Sequence, residues 1–260
     1  MIAAWWSRRR NERALERRAI PDPLWQATLA AYPFLARRSA DDIGELRRLT
    51  SLFLDRKEFS GAQGFVVSDE VAVAVAAQAC LPVLKLGLQL YDGFVGIVLH
   101  ADQVVAARAV TDDDTGVVHA YDDVLAGEAM EGGPVMLSWA DVAAAGEHGE
   151  DSAYNVVIHE FAHVIDMVDG EANGVPPLPN AAARAAWHTT LMREFDVFSE
   201  RAVCGHASVI DPYGAQAPEE FFAVASEAFF VAPAALKEEQ PALYRLLASF
   251  YRQEPAGPQR

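Results

Sequence analysis

Cysteine is nearly absent from this chain: Cys80 and Cys204 are the only two in 260 residues. Two thiols cannot staple a chain of this length, so the fold must rest on a buried core and not on a disulfide framework. Basic residues are scarce beyond the start. Residues 1–60 hold twelve Lys/Arg against eight Asp/Glu, a balance of +4, and the other 200 hold nine against twenty-nine, a balance of −20. An acidic body repels phosphates and disfavours direct nucleic-acid binding, while it suits a metal cation or a basic partner. Uninterrupted apolar runs are missing too. VAVAVAAQACLPVLKLGLQL (71–90) is broken by Gln78, Pro82 and Lys85, and reads as a core helix ending at the proline, not as a membrane span. The start, MIAAWWSRRRNERALERRA, places its few apolar residues before its arginines, the reverse of a secretory leader. We therefore expect a cytoplasmic protein whose residues 1–20 form a frayed basic tail.

Hydrophobic residues make up 52% of the chain, enough for a large core. Two helices are expected near 23–36 and 40–57, the second capped by Ser39 with Asp41 and Asp42 in its first turn. Gly61 and Gly64 bracket a turn, and Ser68 caps the next helix, to about Cys80. Short β-branched runs follow at 94–100, 103–110 and 116–121, with the turn run Thr111–Gly116 before the last. The segment 132–139 reads as a further strand. Helices are expected at roughly 139–145, 152–168, 180–200, 218–231 and 239–252. Strands in the middle flanked by helices give an α+β fold.

The chemistry concentrates in HEFAH, residues 159–163. On a helix, positions i and i+4 share a face, so His159 and His163 can converge on one ion with Glu160 beside them as a base. The surrounding Val156, Val157, Ile158, Phe161, Val164 and Ile165 make this helix largely buried. Two imidazoles and a carboxylate are costly there unless bound to metal or paired with carboxylates. A catalytic site needs a third ligand. The metzincin pattern, a third histidine six residues on, is absent because position 169 is Asp. Glu194, Glu200, Cys204, His206, Glu219, Glu220 and Glu227 remain as candidates. Glu220 and Glu227 share one face of an aromatic helix, and the helix dipole alone accounts for Glu219 and can account for Glu220. Asp166, one turn past His163, is placed to orient an imidazole. A purely structural zinc would need a closed set of four, drawing on Cys204 or His206.

HEFAHVIDMVDG (159–170), GVP (174–176) and DPYGAQAPEEFFAVASEAFF (211–230) together resemble the Mlc titration factor A family of bacterial zinc peptidases. GPVMLSW (133–139) and PALYRLLASFYRQEP (241–255) match in character. The resemblance spans most of residues 20–255. It implies a zincin-like peptidase domain at 21–255, with helices and a small, mostly antiparallel or mixed sheet at 21–150 and zinc-site helices at 151–255. It implies one Zn²⁺ held by His159, His163 and Glu220, with Glu160 as general base and Tyr213 donating to the oxyanion. Glu227 would join Asp166 as an orienting carboxylate. It further implies aminopeptidase activity on peptide or protein substrates, and binding of Mlc, a repressor of glucose-uptake genes. A protein that chiefly sequesters such a repressor, with weak peptidase activity, is the alternative. In peptidases of this kind an edge strand above the metal pairs with the substrate backbone, and GPVMLSW is the candidate.

Overall fold

The computed structural model describes residues 2–111, 118–130, 132–147 and 153–257. The arginine-rich start is not a frayed tail but helix α1 (Ile2–Arg17). Ala14 is buried, and Arg17 Nη2 donates to both carboxylate oxygens of Asp55 at 2.9 and 3.1 Å, which ties α1 to the helix carrying Asp55. The expected helix at 23–36 is divided at Tyr32, before Pro33, into α2 (Asp22–Ala31) and α3 (Pro33–Ala36). Proline disfavours the helical conformation of the residue before it, which sets that break. Helix α4 (Ala40–Arg56) opens as expected, with Ser39 accepting from the Asp42 amide.

Strand β1 (Glu58–Gly61) fills the gap between the expected helix at 40–57 and the expected turn at Gly61–Gly64. Ser68 caps α5 (Asp69–Cys80), which ends just before Pro82. Strand β2 (Gly96–His100) precedes the antiparallel hairpin β3 (Val104–Thr111) and β4 (Val118–Leu125). The turn run between these two falls at 112–117, outside the described residues. Strand β5 (Gly127–Ala129) was not anticipated, and β6 (Val135–Ser138) lies within the expected segment. The main sheet has the order β1-β2-β6-β5, with β1, β2 and β6 parallel and β5 antiparallel to β6. GPVMLSW is thus an interior strand, hydrogen-bonded on both sides, and the expectation that it forms the edge is wrong. That edge is β5. The fold is α+β with a mixed sheet.

The rest is helical: α6 (Trp139–Glu147), α7 (Val156–Asp166), α8 (Ala181–Val203), α9 (Pro218–Val231), α10 (Pro233–Glu239) and α11 (Pro241–Tyr251). Residue 152, where α7 was expected to begin, is outside the described residues. Two aromatic clusters hold α7 and α9 in place. Phe161 on α7 packs against Phe53, Tyr91 and Phe94, with ring centroids 5.0–5.9 Å apart. On α9, Phe221 stacks on Phe198, Phe222 meets Trp187, and Phe229 meets Tyr244 and Tyr251. Full burial of such a ring contributes about 1.5–3 kcal/mol, so each helix is fixed by its apolar faces and can carry polar groups on the face that remains. Among the described residues no helix is long and apolar enough to cross a membrane.

Candidate metal centre

Asn155 starts α7. Its side-chain oxygen accepts from the Ile158 amide at 2.9 Å, satisfying one of the amides that a helix start leaves unpaired. From there the helical repeat carries His159 and His163 to one face. Helix α9 crosses beside it and supplies Glu220. The three ligand atoms lie close together: His159 Nε2 is 3.1 Å from Glu220 Oε2, His163 Nε2 is 3.2 Å from His159 Nε2, and His163 Nε2 is 3.4 Å from Glu220 Oε2. Zinc bound at 2.0–2.1 Å in tetrahedral geometry places neighbouring ligand atoms about 3.3 Å apart, so this triangle matches one face of such a tetrahedron. Among the described residues these three form the group able to hold a metal ion.

A carboxylate meets the ring nitrogen of His159 that points away from the other two ligands. Glu227, two turns after Glu220, receives His159 Nδ1 at 2.8 Å and is itself anchored by the Asn155 backbone amide. With Nδ1–H donated to Glu227, Nε2 is the atom of His159 that faces Glu220 and His163, and it would offer a metal its lone pair once its own proton is displaced. Burial disfavours a charged His159, but its bonds to Glu220 and Glu227 outweigh this and push its pKa well up. Burial acts against the Glu220 charge too, yet the two imidazoles hold its carboxyl down at about 2. Burial raises Glu227, with the His159 contact opposing. Two imidazoles and a carboxylate packed this tightly are a donor set that suits a divalent cation.

Glu160 lies beneath β5. Burial raises its pKa, the two histidines oppose this, and the Ala129 backbone amide donates to its carboxylate. A Cβ at Gly127 would come within 2.6 Å of Glu160 Oε1, so glycine is what lets the edge strand sit this close. Tyr213 stands in a 3-10 turn, Pro212–Ala215, whose start is fixed by Asp211 accepting from the Tyr213 amide at 2.8 Å. Its ring centroid is 6.0 Å from that of His159. Gly214 brings this turn against α9, where a Cβ would strike Val224. His159, Glu160, Tyr213, Asp211, Tyr154 and Gly127 line one cleft of about 290 Å³.

Asp166 does not serve an imidazole. Its Oδ2 accepts from the Asn173 and Gly174 amides at 2.9 and 2.7 Å, and among the described residues no partner meets its buried Oδ1. It secures the loop after α7, where Gly174 has φ +77° and is pressed against Pro218 and Leu191. That accounts for the GVP motif on packing grounds. The other candidate ligands lie elsewhere: Cys204, His206 and Glu200 are exposed, and Glu194 pairs with Arg193. A closed four-ligand site built with Cys204 or His206 does not form. What sequence reasoning missed is β5, whose signal was Gly127 in a stretch too short to show alternation.

Residues 4–252 match the model of the glucose-regulated metallo-peptidase M90 family. An uncharacterised protein of Synechocystis sp. is 38% identical over 94% of this chain and 89% of its own length. Proteins named Mlc titration factor A are similar throughout as well. The one from Enterobacter sp. is 34% identical over 96% of this chain and 92% of its own, and the one from Edwardsiella ictaluri is 37% identical over 86% and 85%. A match over nearly the whole length makes this chain a member of the glucose-regulated metallo-peptidase M90 family.

Proposed function

We propose that this chain is a zinc-dependent aminopeptidase with one Zn²⁺ held by His159, His163 and Glu220. The observation that carries this is the triangle of ligand atoms at 3.1–3.4 Å with Glu160 buried beside it under a sheet edge. Bound there, zinc supplies a Lewis acid that polarises a carbonyl and acidifies water. Glu160 takes the proton of the attacking water and passes it to the leaving amine, a task that its raised affinity for protons suits. The Tyr213 hydroxyl donates to the oxyanion as it develops. The β5 edge aligns the substrate backbone by strand addition. Asp211, exposed in the same cleft, offers a carboxylate to a free α-ammonium group, which favours N-terminal over internal cleavage.

Glu160→Gln tests the mechanism. The variant is expected to keep one zinc per chain by plasma mass spectrometry and to lose aminoacyl-anilide hydrolysis by about 10²–10⁴-fold. Full activity in the variant would overturn the role of Glu160. An N-acetylated peptide cleaved as fast as its free-amine counterpart would overturn the aminopeptidase reading.

The names of the relatives favour a second role, binding of an Mlc-like repressor. Capture of such a repressor by both wild-type and Glu160→Gln protein supports it, and capture by neither removes it.

A further inference from the structure

A row of buried polar side chains leads from the core to His159. Gln78 on α5 and Asn155 at the start of α7 are fully buried, and Glu227 on α9 is 2% exposed. Gln78 Nε2 donates to the Ala74 carbonyl at 3.2 Å, and Gln78 Oε1 accepts from Asn155 Nδ2 at 2.8 Å, across 77 residues of chain. Asn155 Oδ1 accepts from the Ile158 amide at 2.9 Å, and the Asn155 backbone amide donates to Glu227 Oε2. The other oxygen of Glu227 meets His159 Nδ1 at 2.8 Å. Neither Gln78 nor Asn155 lines the metal cleft, so Gln78 can reach the centre only through this row.

Direction passes along the row because a side-chain amide has one donor end and one acceptor end. The Ala74 carbonyl only accepts, so Gln78 turns Nε2 toward it and presents Oε1 to α7. That oxygen only accepts, so Asn155 turns Nδ2 toward it, and Oδ1 then falls on the Ile158 amide. Reversed, the Asn155 amide would set oxygen against oxygen at Gln78 and NH₂ against N–H at Ile158, two mismatches between buried groups. The Tyr32 hydroxyl also bonds to Gln78, but a hydroxyl donates or accepts as needed and imposes no direction. The other buried residues of α5 are Val, Ala and Cys. An apolar side chain would fill the place of Gln78 with no polar group to satisfy, so packing alone does not account for a glutamine there.

We propose that Gln78 is a positioning residue for the metal centre. It sets the direction of the Asn155 amide. Held at both ends of its side chain, Asn155 keeps an extended backbone, φ −156° and ψ 95°, with its N–H aimed at Glu227, and Glu227 orients His159. Orienting contacts behind a ligand alter metal affinity by about 10–100-fold. The inference rests on the zinc reading of His159, His163 and Glu220, and concerns how firmly the ion is held.

The test is the zinc affinity of the full chain by chelator competition, with the visible spectrum of the Co²⁺-substituted protein as a report on ligand geometry. Gln78→Met keeps the length and removes the amide; it is expected to weaken zinc binding about tenfold and to shift the Co²⁺ bands. Asn155→Ser should do the same from the other side of the bond. Serine is a preferred helix cap, so α7 still starts there and the link is tested even if Gln78→Met does not fold. Both substitutions cut one bond, so the double variant should bind zinc no more weakly than the weaker-binding single variant. Ala76→Gly loosens α5 without entering the row, and should leave affinity and spectrum as in wild type. Zinc held by Gln78→Met or Asn155→Ser as tightly as by wild type, losses that multiply in the double variant, or an equal loss in Ala76→Gly overturns the positioning role while the zinc reading stands. No zinc bound by wild type overturns that reading and this inference with it.

Discussion

Helix α7 contributes His159, Glu160 and His163 within one and a half turns, whereas Tyr213, Glu220 and Glu227 come from a turn and a helix that follow α8. In the first half, geometry is local: a 3.6-residue repeat puts two imidazoles on one face whatever surrounds the helix. In the second, geometry exists only because α9 is wedged by phenylalanines against its neighbours and Gly214 lets the Tyr213 turn close on it. The first half supplies two imidazoles and the Glu160 carboxylate; the second adds the Glu220 carboxylate to that face and sets the orientation of His159. A local half survives small shifts in packing, while a tertiary half is sensitive to them.

Four substitutions sharpen that contrast. Tyr213→Phe removes the phenol from the tertiary half without changing volume. We expect kcat to fall by about 10²–10³-fold with zinc content and KM little changed, read by steady-state kinetics on an aminoacyl-anilide. A loss confined to KM would show that Tyr213 only binds substrate. Gly127→Ala tests β5. The added Cβ meets the Glu160 carboxylate, so activity should drop by about 10²-fold with an unchanged melting temperature, because a displaced base costs rate and not core. Glu227→Gln keeps a hydrogen bond to His159 but removes the charge. Zinc affinity or activity should fall by about 10–100-fold, measured by competition with a chelator. If neither changes, the tertiary half reduces to Glu220 and Tyr213.

Asp166→Asn carries the smallest effect and concerns stability. Burial raises the Asp166 carboxyl to about 6, above its ordinary 3.8, although the Asn173 and Gly174 amides oppose this. The folded chain then binds this proton more tightly than the unfolded chain. Stability from this group is highest below pH 4 and falls as pH rises from about 4 to about 6. The asparagine variant should lack that decline in urea melts across this window. An identical decline in both proteins would assign it to other groups.

Much of this molecule was legible in its residues. Ser39 and Ser68 mark helix starts because a hydroxyl is needed at those amides, and Pro82 stops α5 because it has no N–H to give. The HEFAH spacing defined half the centre outright. Other features were not readable. Strands β1 and β5 have four and three residues, too few for an alternation to show. Polar groups in α1 concealed a helix that needs only a narrow apolar strip, around Ala14, to pack. GPVMLSW looked like an edge because proline stands at its start, yet Pro134 precedes the first paired residue and leaves β6 free to bond on both sides.

The sequence by itself determined the donor types, the i and i+4 placement of two imidazoles and the glutamate beside them, because those follow from the pitch of one helix. Only the tertiary structure decided that Glu227 bonds His159 while Asp166 bonds a loop, and that β5 rather than β6 overhangs Glu160. Those outcomes depend on how separate elements pack, where ångström differences in approach determine which carboxylate reaches which partner.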